Sequence, residues 1–250
     1  MSLLNTQERK ELLQRVCELG FDVHMIAETG SKAWGTDVET SDHDLTVIAT
    51  DTDYDIYKWP RTSNTFPIQF KDQKVDVRIF SIEHFLRKVL KSNLVAYEAI
   101  YSEWHYGDFA LQDILKDTMD KFYDPRELFR SSRGNLSNIR AAAMKGRRQL
   151  MRYSFMCLQL VDNVTDGRKP LVNVHEYFAS GRDYGNYDVI RRLYDWAMNP
   201  EEDVNETLEI EKILVSLADF NFPSMVDFKQ GEERAYMNVQ FAKIKALVNE

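Results

Sequence analysis

The spacing of hydrophobic residues changes character after residue 80. Before that point, short apolar runs bounded by polar residues or glycine predict strands at 21–28, 44–50 and 75–80. Asn5 has the position of a helix cap and Gly20 that of a helix end, so a helix is predicted before the first strand. Beyond the third strand the apolar residues recur every three or four positions, which is the pattern of amphipathic helices.

Helices are predicted throughout the remainder, with Ser81 and Ser92 as the caps of the first two. A break or a bend is expected near Gly146. The polar and aromatic segment 51–65 has no clear pattern; Pro60 and Pro67 make this region loop-like, and short strands around it are left open. The pattern therefore predicts an α+β fold, in which a small mixed β-sheet core flanked by helices is followed by a mostly α-helical C-terminal region. The predicted helices are 82–90, 94–100, 108–118, 135–161, 172–179, 187–198, 207–220 and 231–248.

Composition and charge narrow the possible partners. With 250 residues, 44% hydrophobic and 29% charged, the chain can bury a sizeable core. Its net charge of −8 gives it no broad electrostatic surface for duplex DNA, although a nucleotide or one strand end could bind at a local basic patch.

The compartment is predicted from cysteines and from the N-terminus. Cys17 and Cys157 lie in apolar helical patterns and are predicted to be buried, reduced thiols. The first residues contain no basic segment followed by a long apolar run, and no apolar stretch is long enough to cross a bilayer. We therefore expect a cytoplasmic protein that does not bind membranes.

A glycine and a serine follow the first predicted strand directly. Gly30 would let the backbone approach a phosphate closely. The Ser31 hydroxyl and the amides after it could donate hydrogen bonds to phosphate oxygens, and a helix start there would add a favourable dipole. The turn predicts a phosphate-binding site.

Carboxylates stand at the heads of the next two predicted strands. Asp42 and Asp44 are two residues apart, so in an extended segment both side chains leave the same face. Carboxylate oxygens are the ligands that Mg²⁺ prefers, with substrate phosphates supplying others. A third acid would complete a two-metal site; Asp76, between two valines of the next strand, is favoured over Asp72.

Together these residues resemble the signature of the DNA polymerase beta-like nucleotidyltransferase superfamily. Within it the segments Glu28–Gly35 and Ser41–Asp44 are most similar to the YcgL-type predicted nucleotidyltransferases of bacteria and phages. The resemblance implies a catalytic domain at 1–106 and a helical domain at 107–250 that closes the active site. It also implies two Mg²⁺ ions and transfer of a nucleoside monophosphate from an NTP, with ATP the expected NTP.

Individual roles follow from the same resemblance. It implies that Asp42, Asp44 and Asp76 are metal ligands, that Asp76 is also the general base, and that Gly30 and Ser31 hold the triphosphate. The acceptor is open: superfamily members modify RNA ends, proteins and small molecules.

One helical segment is basic in an otherwise acidic chain. Residues 140–152 carry five positive charges and no acid. Lys145, Arg148 and Arg152 fall on one helical face and are predicted to hold the triphosphate or an acceptor strand. The alternative is a solvated face that pairs with acids elsewhere.

The intact set of acids favours an active nucleotidyltransferase that releases pyrophosphate. The alternative is a non-catalytic module on the same fold, which binds a nucleotide or, as in a toxin–antitoxin-like pair, a partner protein. A weaker hypothesis is a metal site for hydrolysis of phosphodiesters.

Overall fold

The structure is a computed structural model that describes residues 6–51, 63–70, 73–140, 146–163, 168–181, 185–199, 204–220, 239–240 and 243. These residues form two compact units. The first contains the described residues of Met1–Ala33, Glu39–Tyr123 and Asp227–Glu250, and the second those of Trp34–Val38 and Asp124–Val226. The functional division into a catalytic domain at 1–106 and a closing helical domain at 107–250 stays a prediction.

A mixed five-stranded sheet forms the centre of the first unit, in the order β3-β4-β2-β1-β5. Strands β2 and β4 are parallel, and every other neighbouring pair is antiparallel. The three predicted strands are confirmed as β1, β2 and β4. β3 lies where short strands were left open without bounds, and β5 was not predicted. The strands are β1 (Phe21–Thr29), β2 (His43–Asp51), β3 (Ser63–Phe70), β4 (Gln73–Ser81) and β5 (His105–Gly107).

Helices account for most of the remaining described residues, and the predicted α+β fold is confirmed. Among them, none combines the length and the apolar character that a membrane crossing needs. The helices are α1 (Thr6–Glu18), α2 (Gly30–Trp34), α3 (Ile82–Leu90), α4 (Leu94–Tyr101), α5 (Phe109–Lys121), α6 (Pro125–Arg140), α7 (Arg147–Asp162), α8 (Val174–Ala179), α9 (Tyr187–Met198) and α10 (Val204–Asp219).

One face of the sheet packs against α1. Leu12 and Val16 of that helix join buried side chains of β1, β2 and β4 in a single apolar cluster. Leu45 and Val47 belong to it, and so does Val77. Because successive side chains of a strand point to opposite faces, the acids between these apolar residues lie on the other face.

Two local predictions were wrong, and a third was left open. Pro67 lies within β3, in a region that the sequence made loop-like with short strands left open; proline is tolerated there because β3 is an edge strand and needs fewer backbone donors. Asn93, not Ser92, caps α4, because its side chain accepts from the Val95 amide. Cys17 is exposed, since it lies off the α1 stripe that Leu12 and Val16 define, whereas Cys157 is buried as predicted.

The other helix boundaries agree in part with the predictions. The helix predicted at 135–161, with a break or a bend near Gly146, corresponds to α6 and α7, and Gly146 is the N-cap of α7. The predicted start was wrong, because α6 already begins at Pro125. The predicted cap Ser81 is confirmed, because its hydroxyl accepts from the His84 amide at 3.2 Å. The cap Asn5 and most of the predicted helix 231–248 lie outside the described residues.

Candidate functional site

Two of the predicted acids lie side by side in the sheet. In the parallel register of β2 and β4, Asp44 is the partner of Asp76. Their next neighbours along the strands, Leu45 and Val77, are buried in the cluster under α1. Both carboxylates therefore leave the sheet on the opposite face, on strands about 4.8 Å apart. Asp42 is half-buried and lies directly before β2.

The predicted phosphate turn lies against one of these acids. Gly30, which follows β1 directly, has φ of +70°. A Cβ atom at this position would lie 1.8 Å from Oδ2 of Asp44, so only glycine fits here. The Asp44 carboxylate is thus in contact range of the backbone of the turn, which is the arrangement that a joint site for phosphate and carboxylate requires.

Threonine side chains fix the end of β1 to β2 beneath the turn. Thr29 and Asp44 are partners in the antiparallel register of β1 and β2. The Thr29 hydroxyl lies 3.3 Å from the backbone oxygen of Asp44 and 3.3 Å from the Thr46 hydroxyl, and both threonines are buried. The last residue before the turn is therefore held by its side chain as well as by the β-ladder.

A further acid reaches the turn from α4. Glu98 accepts a hydrogen bond from the Gly30 amide, with 2.5 Å between the amide nitrogen and Oε1. Its neighbours Tyr97 and Ala99 are buried. Sequence reasoning missed this residue, although its one signal was visible: Glu98 is the only charged residue of α4, whose other residues are apolar or aromatic.

A family model covers the part of the chain that contains these residues. Residues 4–160 match the family model described as RlaP, the RNA repair pathway DNA polymerase beta family. The match covers more than half of the 250 residues. The chain belongs to this family. The DNA polymerase beta superfamily predicted from the motifs is confirmed, and the family supports a general nucleotidyltransferase role.

Curated proteins and solved structures add little to the family assignment. A search of curated proteins finds no match. A crystal structure of a nucleotidyltransferase-like protein from Exiguobacterium sibiricum matches at 15% identity and a TM-score of 0.35, over 84% of this chain and 72% of that one.

The acids of this RlaP family member fit a divalent cation by their chemistry. Asp44 and Asp76 offer carboxylate oxygens from adjacent strands, and such oxygens are the ligands of Mg²⁺. Within the described part of the chain, however, no group of three or more His, Cys, Asp or Glu side chains is arranged to hold a metal ion. The metal site with Asp42, Asp44 and Asp76 stays a prediction, and Asp72 lies outside the described residues.

The basic residues predicted to hold the triphosphate belong to the second unit or are not described. Arg148 and Arg152 are both in α7, where the Arg152 side chain donates to the backbone oxygen of Arg148 at 3.3 Å. Lys145 lies outside the described residues. Their role toward a nucleotide stays a prediction.

A close contact between a glutamate and a histidine lies on the reverse side of the site strands. Glu28 is opposite Leu45 in the register, and His43 shares the face of Leu45. Oε1 of Glu28 lies 3.5 Å from Nδ1 of His43, and both atoms are buried with no hydrogen-bond partner. The pair faces the α1 side of the sheet, so it is separated by the sheet from Asp44 and Asp76.

A cavity of about 420 Å³ lies elsewhere, beside β5 and α1. Burial lowers the pKa of its two histidines, His24 and His105. His105 lies 2.7 Å from the Ala99 backbone oxygen, and His24 lies 2.9 Å from the Thr50 hydroxyl. The carboxylate of another lining residue, Asp108, accepts from the amides of Ala110 and Leu111 at the start of α5. Since these side chains already have partners within the fold, we place the candidate site at Gly30, Asp44 and Asp76.

Proposed function

We propose that the protein is a Mg²⁺-dependent nucleotidyltransferase that transfers a nucleoside monophosphate from an NTP to a hydroxyl group and releases pyrophosphate. The observation that carries this proposal is the contact of Gly30 with the Asp44 carboxylate, while Asp76 is adjacent in the register. This places a close-approach turn next to paired carboxylates, and metal-assisted phosphoryl transfer uses both.

Each residue has a stated task in this proposal. Asp42, Asp44 and Asp76 would hold two Mg²⁺ ions, which supply Lewis-acid stabilisation of the triphosphate charge. Gly30 lets a phosphate approach the backbone, and the Ser31 hydroxyl donates to the β- or γ-phosphate. Asp76 also accepts the proton of the attacking hydroxyl, whose oxygen then attacks the α-phosphorus in line as pyrophosphate leaves.

Basic residues complete the nucleotide site in this proposal. Arg148 and Arg152, with Lys145, would neutralise the triphosphate or bind the acceptor. ATP is the NTP that we propose to test first.

The acceptor is proposed to be an RNA end. The family to which the chain belongs is an RNA repair pathway family by its description. The local basic segment fits a single strand end better than a duplex, because the chain as a whole has a net charge of −8. A protein or a small molecule as acceptor would be separate outcomes of the same assay. The proposal includes the closer YcgL-type relationship, which depends on the segments Glu28–Gly35 and Ser41–Asp44. It also includes a cytoplasmic location, which depends on the small number of cysteines.

The decisive test removes two carboxylates at once. We expect the double variant Asp42→Asn/Asp44→Asn to lose at least about a hundredfold in pyrophosphate release from Mg–ATP with an RNA acceptor, because several kcal/mol of transition-state stabilisation is lost. Asp113→Asn, an exposed position of α5, is the matched control and should retain parental activity. Equal turnover by the double variant would overturn the assignment, and nucleotide binding without release for every acceptor would favour the non-catalytic alternative.

A further inference from the structure

The Gly30 amide has an acidic partner that the proposed reaction does not use. Glu98 comes from α4, and Gly30 follows β1, so this contact joins two elements that are 68 positions apart in sequence. Glu98 and Gly30 both belong to the first unit. A hydrogen bond from an amide to a carboxylate is charge-assisted and about twice as strong as a neutral one.

The contact acts at the point where the β-ladder stops. Thr29 is the last residue of β1 and is paired with Asp44, so the Gly30 amide is the first donor beyond the ladder. Gly30 has φ of +70°, and glycine adopts positive and negative φ about equally well. Without a hydrogen bond to its amide, this turn would therefore sample other conformations. Glu98 supplies the acceptor that this amide needs, and it does so from a helix whose neighbouring residues, Tyr97 and Ala99, are buried.

Gly30 also contacts Asp44 of the candidate site, so it links Glu98 to that carboxylate. Oδ2 of Asp44 lies so close to Gly30 that no Cβ atom would fit. Any shift of Gly30 therefore changes the position of the turn relative to Asp44. A residue that fixes the Gly30 amide also fixes the spacing between the turn and the carboxylate.

We propose that Glu98 is a positioning residue: by accepting the Gly30 amide hydrogen bond, it holds the phosphate turn against Asp44. The proposal rests on the proposed function for its link to nucleotide binding. The hydrogen bond itself is a property of the folded chain and can be tested without any substrate.

Two substitutions separate the acceptor oxygen of Glu98 from its charge. Glu98→Gln keeps an oxygen that can accept from the amide, whereas Glu98→Ala removes it. We expect the Gly30 amide to lose protection from hydrogen exchange in the Ala variant and to stay protected in the Gln variant. We expect the KM for Mg–ATP to rise about fivefold to tenfold in the Ala variant, because a change of this size corresponds to the loss of one ordinary hydrogen bond. In the Gln variant we expect the KM to change less than about threefold. In both variants kcat should change less than KM.

Each alternative role of Glu98 gives a different pattern. If the charge matters, as for a proton acceptor or a cation ligand, Gln will be as impaired as Ala and the loss will be in kcat. If Glu98 competes with phosphate for the amide, both variants will bind Mg–ATP more tightly. Either result overturns the proposal, and so does unchanged protection of the Gly30 amide in Glu98→Ala.

The controls separate folding and function from the positioning role. Glu103→Ala removes an exposed acid shortly after α4 and should leave Gly30 protection and KM unchanged. Thermal unfolding identifies an Ala variant that does not fold, in which case the Gln variant still decides between hydrogen bond and charge. A parent protein that protects Gly30 through Glu98 but binds no Mg–ATP would overturn the proposed function and leave the positioning of the turn supported.

Discussion

Gly30 is the residue on which the geometry of the site depends most directly. Its left-handed backbone and its contact with Asp44 leave no space for a side chain. The sequence indicated the glycine through its position before Ser31, and it indicated Asp44 through the spacing to Asp42. Neither spacing reveals that a third group, Glu98, binds the glycine, because that contact forms only when α4 packs beside β1.

Gly30→Ala tests this arrangement at a single position. The new methyl group adds backbone strain at positive φ and a clash with Asp44, so we expect the free energy of unfolding to fall by at least about 2 kcal/mol. We also expect Mg–ATP turnover to drop, because either the turn or the carboxylate must shift. Urea denaturation and pyrophosphate release measure the two effects.

The matched control is a glycine in open space. Gly134 lies in α6, and among the described residues no heavy atom beyond its chain neighbours and the nearby backbone of α6 comes within 4 Å of the position that a Cβ atom would take. Gly134→Ala should be neutral or stabilising by up to about 1 kcal/mol, because alanine favours helix more than glycine does. A Gly30→Ala protein as stable and active as Gly134→Ala would contradict the close contact at Asp44.

At the scale of elements, the sheet was predictable where its strands are buried. β1 and β2 contain short apolar runs, β4 alternates apolar and polar residues, and all three strands are central in the sheet. The two strands without predicted bounds are both at its edges: β3 contains Pro67, and β5 has only three residues. Edge strands tolerate such sequences, so local patterns do not identify them.

The junction of β4 and α3 tests a second predicted feature. Ser81 ends β4 and caps α3, whose Phe85 and Leu86 are buried. Ser81→Ala leaves the His84 amide without this acceptor, and we expect the free energy of unfolding to fall by about 1 kcal/mol. Ser137→Ala, an exposed position of α6, should change it by less than about 0.5 kcal/mol. Equal stabilities of the two variants in urea denaturation would show that the cap contributes nothing.

At the scale of the whole molecule, a candidate function could be predicted from the sequence for the first compact unit more readily than for the second. The first unit contains the turn, the acids and Glu98, and its motifs alone indicated a site for a nucleotide. The second unit is helical where the structure describes it, and its basic segment supports an acceptor class without identifying the acceptor. This difference has a physical cause: phosphate and metal chemistry requires particular residues at short spacings, whereas helical packing accepts many apolar sequences.

The free energy of unfolding of the whole molecule should depend on pH near neutrality, because the chain contains partly buried histidines. Burial lowers the pKa of His24 and His105 below the ordinary value of 6.5, so the folded chain binds these protons less readily than the unfolded chain does. The contribution of the two neutral histidines to the free energy of unfolding is fully present at pH values above their unfolded pKa. It is lost as the pH falls from the unfolded pKa toward the lower folded pKa. Urea midpoints should therefore decrease between about pH 7.5 and about pH 5.5.

His105→Gln should reduce this decrease. The amide can still donate to the Ala99 backbone oxygen and accept from Gln112, the two groups that His105 now contacts, but it takes up no proton in this range. Stability at about pH 7.5 should change little, and the loss toward about pH 5.5 should be smaller than in the parent. If parent and variant lost stability in parallel over the whole range, the buried ring of His105 would not be the group that titrates. His24, which keeps its contact with Thr50 in both proteins, would then be the next position to replace, because burial lowers its pKa in the same direction.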